Sequence, residues 1–261
     1  MLGIIHPVGY LCTLLSTHKQ KVLRVTEDDD IVAQIFRGHR GSHIMNSEKR
    51  DFDKEAASWD ERPLRVKLAK DIADAILKQI TLTSDMDALD FGCGTGLLTV
   101  QLQPLVHSIT GMDSSQGMLD VFNAKIARLK LTNMRALLVD LDKGDTLAGN
   151  YHLIVSNMTL HHVKEIGPLF DHFYSIMAHS GYLCVADLDL DDGQFHEDNT
   201  GVFHLGFDRT ALRRTFAEAG FENIQDMSAA EVTKTTPNGE TRQFTVFLMT
   251  GQKRSTKQRR N

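Results

Sequence analysis

The sequence has few cysteines and no long apolar run. These two features argue against a disulfide-rich protein and against a membrane-spanning protein. Cys12, Cys93 and Cys184 lie far apart and are odd in number. They therefore form neither a disulfide framework nor a Cys-x-x-Cys metal pair, and we expect a reducing, cytoplasmic setting. No apolar stretch reaches the length of about 18 residues that a membrane-spanning helix needs, so no membrane association is predicted.

An excess of charge of one sign is also lacking. The 261 residues carry 34 acidic and 29 basic side chains, for a net charge of -5. This balance gives no general attraction to nucleic acid or to an anionic membrane. The apolar share of 41% is ample for the core of one large domain, alone or with an appendage.

The two ends of the chain read differently from its middle. Residues 1–44 contain an apolar stretch without the basic start and cleavage site of a secretory signal. Gly41-Ser42-His43, just before Met45, resembles a cloning scar. We expect a domain over 45–250, a basic tail over 251–261, and an N-terminal extension over 1–44. That extension is either dispensable or non-native in origin, or else a genuine docked segment.

From residue 51 onward, helical and extended patterns alternate. Helices are predicted over 52–59, 63–80, 97–102 and 163–178, and after the caps at Ser114-Ser115 and Asp208. Strands are predicted over 86–91, 106–112, 134–139, 151–155, 182–188, 223–230 and 242–250. Such alternation predicts an α/β fold with a Rossmann-like, doubly wound, mostly parallel seven-stranded sheet. The turn Pro237-Asn238-Gly239 predicts a final hairpin that adds one antiparallel edge strand.

A glycine-rich loop from Asp90 to Gly96 follows the first predicted strand and opens a helix. Its glycines would let a ligand approach the backbone at a helix N-terminus. The spacing is G-x-G-x-G, because a dinucleotide fingerprint would need glycine where Leu97 stands. Asp90 would repel a pyrophosphate but suits a ligand with an ammonium or sulfonium charge. Alone, the loop could also be an ordinary structural turn.

Two further acids follow the next two predicted strands. Asp113 stands seventeen residues after Gly96, where a carboxylate can accept hydrogen bonds from ribose hydroxyls. Asp140 can reach an adenine amino group while Leu141 packs on the ring. Each could instead be a simple helix cap or turn former. Acids at three successive strand ends nevertheless indicate one ligand site at the carboxyl edge of the sheet.

Three stretches carry a family resemblance: LDFGCGTG at 89–96, GMDSSQGML at 111–119 and SNMTLHHV at 156–163. With them the chain resembles the class I S-adenosylmethionine-dependent methyltransferases, and among these the broad group of ubiquinone and menaquinone biosynthesis methyltransferases. The resemblance implies S-adenosyl-L-methionine as cofactor, with Asn157 under the methyl donor. The cofactor contacts that it implies are Asp90, Gly92, Cys93, Gly94, Thr95, Gly96, Asp113, Ser114, Met118, Asp140, Leu141 and Asn157.

Such an enzyme mainly aligns an in-line displacement and excludes water, and it needs a base only if the acceptor must lose a proton. His161 and His162 are the candidates for that base. Adjacent histidines cannot both face one point on a helix, so we expect at most one of them to serve. Alternatively, both cap the helix or pack.

The connection over residues 189–207 leaves the carboxyl edge of the sheet after the fifth predicted strand. Long connections with little periodicity are usually lids or binding loops. We predict that it forms part of the acceptor pocket through His196, Phe203 and His204, unless its apolar residues merely pin a surface loop. Asp187, Asp189 and Asp191 faintly resemble a calcium loop but lack its glycine spacing and closing glutamate, and we predict no metal.

A methyltransferase for a small-molecule acceptor is therefore the leading prediction. Methylation of RNA or protein is the alternative, supported only by the basic tail, which is more often a solvated end. The sequence SNMT at 156–159 lacks the Asn-Pro-Pro-Tyr motif of enzymes that methylate adenine or glutamine amides. A catalytically silent protein that binds S-adenosylmethionine is a further alternative, whereas Leu97 and Asp90 oppose a nucleotide-dependent oxidoreductase.

Overall fold

The structure is a computed structural model, and it describes residues 50–255. The N-terminal extension predicted over 1–44 and the end of the predicted basic tail lie outside the described residues. Within residues 50–255, no helix is both long enough and apolar enough to cross a membrane.

The described chain alternates strands and helices from residue 63 to the hairpin at its end. Its α-helices are α1 (Pro63–Gln79), α2 (Leu97–Leu102), α3 (Gln116–Leu129), α4 (Ile166–Ser175) and α5 (Arg209–Glu218). Its strands are β1 (Asp87–Phe91), β2 (Ser108–Asp113), β3 (Met134–Leu138), β4 (Tyr151–Asn157), β5 (Met177–Leu188), β6 (Phe221–Thr235) and β7 (Thr241–Lys253). Short 3-10 helices cover Phe52–Lys54, Ala56–Glu61, Gln103–Leu105, Leu141–Lys143 and Leu160–His162.

The strands form one sheet in the order β3-β2-β1-β4-β5-β7-β6. β1 to β5 run parallel, and β7 is antiparallel to both of its neighbours. The predicted α/β fold with a seven-stranded, mostly parallel sheet is confirmed. One detail differs, because the antiparallel strand β7 lies one place inside the edge and β6 is the edge strand. The hairpin folds back so that β7 pairs along β5, from Tyr182 opposite Gln252 to Leu188 opposite Val246.

The central strands are apolar on both faces because helices cover both sides of the sheet. Leu153 and Val155 of β4 contribute to one core cluster, while Ile154 between them contributes to the other. This alternation is the two-residue period of a strand. The first cluster packs under α1, α2 and α3 with Ile72 and Phe122, and the second packs under α4 and α5.

Capping signals fix several helix starts. Ser115 Oγ accepts a hydrogen bond from the Met118 amide, and Asp208 Oδ1 accepts one from the Ala211 amide, as predicted for both caps. Gly220, predicted to stop α5, has φ of 98°, which is the left-handed conformation that favours glycine.

Some boundaries differ from the predictions. The helix predicted over 163–178 covers only Ile166–Ser175, because β5 begins at Met177. The segment predicted as helix over 52–59 forms two 3-10 helices instead. Both hairpin strands are longer than predicted, and β7 runs through Lys253, three residues beyond the predicted domain end at 250. The basic side chains of Lys253 and Arg254 therefore belong to the sheet and its immediate end.

Candidate functional site

The loop between β1 and α2 is pinned to β2. The amides of Gly92 and Cys93 both donate to the Met112 carbonyl, at 2.8 and 3.0 Å. Gly92, Gly94 and Gly96 have φ of 72°, 54° and 79°, a region that other residues rarely adopt. The conformation of the loop therefore favours glycine at all three positions.

The three glycines differ in what surrounds them. A Cβ at Gly92 would lie 2.2 Å from Cγ2 of Thr159, and one at Gly96 would lie 2.2 Å from Cδ2 of Phe122. A Cβ at Gly94 would meet nothing nearer than Met118 Sδ at 4.0 Å. Gly92 and Gly96 thus serve the packing of the protein itself. Gly94 borders space that a ligand can occupy.

Asp113, at the end of β2, holds this loop in place. Its carboxylate accepts hydrogen bonds from the amides of Gly94 and Ser115, at 2.8 and 2.9 Å. Asp113 thus organises the loop and the start of α3, and its half-buried carboxylate also lines the cavity described below. The contact with a ribose stays a prediction.

Asp90, at the end of β1, is buried with only 1% of its surface exposed. The hydroxyl of Thr99 donates to it at 2.6 Å. Burial raises the pKa of Asp90 to about 7, helped by the nearby charge of Asp113 and opposed by the hydrogen bond from Thr99. A positively charged ligand group beside it would favour the ionised form.

Asp140 and Leu141 lie at the third strand end. Asp140 caps the 3-10 helix Leu141–Lys143 by accepting from the Asp142 amide at 3.2 Å, and Lys143 Nζ lies 3.2 Å from its carboxylate. The cap that the sequence allowed is present. Asp140 and Leu141 both line the same cavity as Asp90 and Asp113.

This cavity measures about 730 Å³ and lies at the carboxyl ends of the parallel strands. Its volume is in the range of small-molecule and cofactor sites. The structure brings together on its wall all of the predicted cofactor contacts except Gly96, together with His161, His162, His196 and Phe203. Gly96 packs against Phe122 instead, and His204 does not line the cavity.

Asn157 ends β4 inside the cavity. Its side-chain Oδ1 is buried and has no hydrogen-bond partner among the described residues. A buried acceptor without a partner costs about 1–3 kcal/mol unless a ligand supplies the donor. This atom would accept a hydrogen bond from an N–H or O–H group of a ligand, and the open space at Gly94 leaves room for that ligand.

Three histidines form a cluster on the wall of the cavity. The ring centroids of His161 and His162 are 4.2 Å apart, and that of His196 lies 4.9 Å from His161. Residues 160–162 form a 3-10 turn and not part of an α-helix, so the helical spacing assumed for these two histidines does not apply. That at most one of them serves as a base stays a prediction. Both histidines therefore line the same cavity.

The histidines differ in their partners. His161 is buried, and its Nδ1 lies 2.7 Å from the carboxylate of Asp187, which is also buried. In the neutral ring Nδ1–H donates to Asp187, which leaves the lone pair on Nε2. His162 Nδ1 donates to the carbonyl of Gly201 at 2.7 Å.

Burial makes two of the rings poor proton acceptors. It lowers the pKa of His162 to about 3, and the neighbouring His161 adds to this effect. The pKa of His196 falls to about 2, by burial first and then by His161 and His162. Nε2 of His196 is buried without a partner among the described residues. Both rings are therefore neutral at neutral pH.

Of the three residues singled out in the connection over 189–207, two line the cavity and one does not. The amide of Phe203 donates to the His161 carbonyl at 2.8 Å, which ties the connection to the histidine turn. His196 and Phe203 line the cavity. His204 instead contacts the Val163 carbonyl through Nε2 at 2.9 Å and stacks near Phe207, with centroids 5.1 Å apart.

The alternating acids at the end of β5 and just after it have separate protein partners. Asp187 binds His161, Asp189 forms a double contact with Arg209 at 2.7 Å, and Asp191 accepts from the Gln194 amide at 3.1 Å. Within the described part of the chain, no three His, Cys, Asp or Glu side chains are placed to hold a metal ion.

The segment before α1 covers the cavity, and sequence reasoning missed it. Phe52 packs edge-on against His162, with ring centroids 5.1 Å apart. Asp53 accepts from the Gly117 amide at 2.9 Å, and Asp60 lies 2.8 Å from Lys125 Nζ. The segment shows no hydrophobic periodicity from which these contacts could be predicted. Other lining residues that the sequence did not single out are Arg50, Trp59, Arg62, Arg65, Phe195 and Lys234.

Comparison with known proteins shows the family to which the chain is similar. A family model described as "Methyltransferase domain" matches residues 64–226. The chain is 32% identical over 163 residues to an uncharacterized methyltransferase of Schizosaccharomyces pombe, covering 57% of each protein. It is 27% identical over 148 residues to a malonyl-[acyl-carrier protein] O-methyltransferase of Calditerrivibrio nitroreducens, covering 54% of each. The chain thus spans about half the length of the curated relatives that it matches.

Solved structures share the fold at low identity. A phosphoethanolamine N-methyltransferase of Haemonchus contortus in complex with S-adenosyl-L-methionine matches with a TM-score of 0.58 and 13% identity, over 79% of this chain and 60% of that one. A SAM-dependent methyltransferase of Aquifex aeolicus matches with a TM-score of 0.55 and 18% identity, over 76% and 97%. At such identities the likeness is one of fold.

Proposed function

Because the chain belongs to the methyltransferase-domain family, we propose that it transfers the methyl group of S-adenosylmethionine to a small-molecule acceptor. The observation that carries the proposal is the single cavity of about 730 Å³ that joins the acids of three strand ends to the histidine cluster. Within the family, the three stretches at 89–96, 111–119 and 156–163 support kinship with the quinone-biosynthesis group.

The residues around the glycine loop fit the cofactor. Asp113 would accept hydrogen bonds from ribose hydroxyls, and Asp90 would face the positive charge of the methionine part. Asn157 Oδ1 has an unused acceptor site for a donor on the ligand. When bound, S-adenosylmethionine supplies an electrophilic methyl group on a good leaving group. The protein has to align the acceptor with that methyl group and exclude water.

His161 is the group in the cluster best built to take a proton from the acceptor. Its Nδ1 is held by Asp187 at 2.7 Å, so Nε2 carries the lone pair and the buried carboxylate stabilises the ring when it becomes charged. His162 and His196 lack such a carboxylate, and their low pKa values keep them neutral. We assign His162 and His196 to shaping the acceptor site and His161 to proton removal.

The covering segments favour a small acceptor. Phe52 packs on His162 from one side, and the connection over 189–207 is tied to the His161 carbonyl through the Phe203 amide. Both leave the histidine cluster at the wall of a cavity and not on an open face. A macromolecular acceptor would have to insert a side chain or a base past these segments.

Turnover of S-adenosylmethionine by the full chain tests this function. A panel of phenols, quinones, amines, thiols and carboxylic acids, with total RNA and protein as separate arms, would be analysed by mass spectrometry for added methyl groups. We expect a small-molecule product that forms together with S-adenosylhomocysteine. Methylation confined to the RNA or protein arm would contradict the proposed acceptor class.

His161→Gln is the matching variant, with His107→Gln as its control. His107 is exposed and does not line the cavity. If the acceptor loses a proton, His161→Gln should slow turnover and leave affinity for S-adenosylhomocysteine unchanged, whereas His107→Gln should change neither. Equal turnover in both variants would remove His161 from the reaction.

A further inference from the structure

Five cationic side chains line the cavity: the exposed Lys164, just after the histidine turn, and a group of four formed by Arg50, Arg62, Arg65 and Lys234. The aspartates on the cavity wall follow β1, β2 and β3, at the end assigned to the cofactor. On the side of the cations, the connection over 189–207 contributes one acidic lining residue, Glu197. Lys234 and Arg50 of this group lie next to the histidine cluster, since Lys234 contacts Phe195 and Arg50 lies over the Phe52 ring that packs on His162.

Two of these cations share one carboxylate. Glu55 receives Arg50 at 2.6 Å on one oxygen and Arg65 at 3.0 Å on the other. A single negative charge therefore serves two guanidinium groups. The guanidinium of Arg65 also lies 3.3 Å from the ring centroid of Trp59, and its Nη1 is buried without a hydrogen-bond partner among the described residues. Arg65 is oriented by its neighbours and still has a donor to offer.

Lys234, near the C-terminal end of β6, lies in the same region. Its Nζ donates to the Phe195 carbonyl and lies 4.8 Å from the centroid of the Phe195 ring. Burial lowers the pKa of Lys234; Glu197 opposes this, and the charges of Arg62, Arg50 and Arg65 add to the lowering. Lys234 is therefore close enough to all three arginines to be repelled by them.

Arg62 completes the cluster. It is exposed, and no ion pair with a carboxylate is formed by its side chain in the described part of the chain. A solvated surface could carry such charges at little cost, but Arg65 and Lys234 are partly buried and oriented by Trp59 and Phe195. Oriented cations at a cavity wall are the usual means of binding carboxylate or phosphate oxygens.

We propose that the acceptor carries an anionic oxygen group, a carboxylate or a phosphate, which binds to Arg62, Arg65 and Lys234. This inference rests on the proposed function, because it names the acceptor class of the same cavity. Lys234 Nζ donates to the carbonyl of Phe195, the residue before His196, and the His196 ring lies 4.9 Å from that of His161, so an anion bound to Lys234 would lie beside the histidine cluster. The atom to be methylated would then lie on the His161 side of that anion.

Calorimetric titration of the full chain tests the proposal with defined small anions. Malonate and inorganic phosphate would be titrated into the protein saturated with S-adenosylhomocysteine, at constant ionic strength in chloride, with neutral malonamide as the uncharged control. We expect saturable binding of one anion or both and none of malonamide. Malonate alone would indicate a carboxylate acceptor, and phosphate alone a phosphorylated one.

Matched variants separate the cluster from general charge. Arg62→Gln/Lys234→Gln should weaken anion binding about tenfold or more, as expected for the loss of charged hydrogen bonds. Lys78→Gln/Arg128→Gln removes the same charge from exposed helix positions away from the cavity and should leave binding unchanged. Arg62→Gln alone, at an exposed position, keeps the test valid if the double variant is unstable.

The outcomes distinguish this inference from the function on which it rests. No saturable anion binding, equal binding of malonamide, or equal weakening in both double variants would overturn the anionic acceptor, even if S-adenosylhomocysteine binds. Failure of S-adenosylhomocysteine to bind would overturn the proposed function. In that case the same anion titration on the unliganded protein still decides whether the cluster binds anions.

Discussion

Replacing Asp90 with asparagine removes a buried carboxylate beside the glycine loop, whose ionised form is destabilised by its burial. Asp90 is 1% exposed, and its pKa rises from 3.8 to about 7. Between these two pH values the folded chain holds a proton that the unfolded chain has released. Stability therefore falls as the pH rises through this window, and it changes no further above it.

The size of the effect follows from the shift in pKa. Each pKa unit corresponds to about 1.4 kcal/mol, so the penalty from Asp90 is about 1.7 kcal/mol at pH 5 and about 4 kcal/mol at pH 8. Asp90→Asn keeps the shape and the contact with Thr99 but has no charge to bury. Relative to the native chain, the variant should gain roughly 2.5 kcal/mol in unfolding free energy between pH 5 and pH 8.

Urea unfolding at pH 5 and pH 8 measures this difference, with Asp85→Asn in an exposed turn as the control. Isothermal titration at pH 8 should show weaker binding of S-adenosylhomocysteine by Asp90→Asn, because the carboxylate that faces the positive ligand group is gone. The reasoning would be refuted if Asp90→Asn and Asp85→Asn had the same pH dependence of stability. Unchanged ligand affinity would remove Asp90 from the ligand site.

Three further predictions concern the cavity. Gly94→Ala should lose only about 1–2 kcal/mol of unfolding free energy, the strain of a left-handed residue, yet should no longer bind S-adenosylhomocysteine. Gly96→Ala should lower the melting temperature more, because its Cβ would lie 2.2 Å from the Phe122 ring. The reverse ranking of the two melting temperatures in a thermal-shift assay would contradict this prediction. Asp113→Ala should weaken the same ligand by about 1–3 kcal/mol in calorimetry, and equal affinity would exclude the ribose contact. His196→Ala should reduce methyl transfer and leave the affinity for the cofactor intact, because His196 lines the cavity. His204 does not line the cavity, so His204→Ala should mainly lower stability. Equal loss of turnover in both variants would contradict a separate role for His196.

Local signals in the sequence were sufficient for much of the framework. Ser115 and Asp208 cap their helices because a short polar side chain before an amphipathic run has one favourable use. The acids Asp90, Asp113 and Asp140 were predicted to lie at one edge, and they share one cavity. That prediction needed only the rule that parallel strands present their carboxyl ends together.

Long-range pairing and irregular backbone could not be predicted in the same way. The hairpin turn predicts two strands, but whether β6 or β7 lies against β5 depends on contacts far apart in the chain. The 3-10 turn at Leu160–His162 directs both histidines into the cavity, a geometry that an assumed α-helical period excludes. Lys234 reaches the site from the end of β6 without any local signal.

Binding of S-adenosylhomocysteine to the full chain is the direct test of the cofactor site. In a thermal-shift series with S-adenosylhomocysteine and NAD, we expect a concentration-dependent rise in melting temperature with S-adenosylhomocysteine only. The rise should be reduced in Asp113→Ala. Stabilisation by NAD with no response to S-adenosylhomocysteine would contradict a methyltransferase cofactor site.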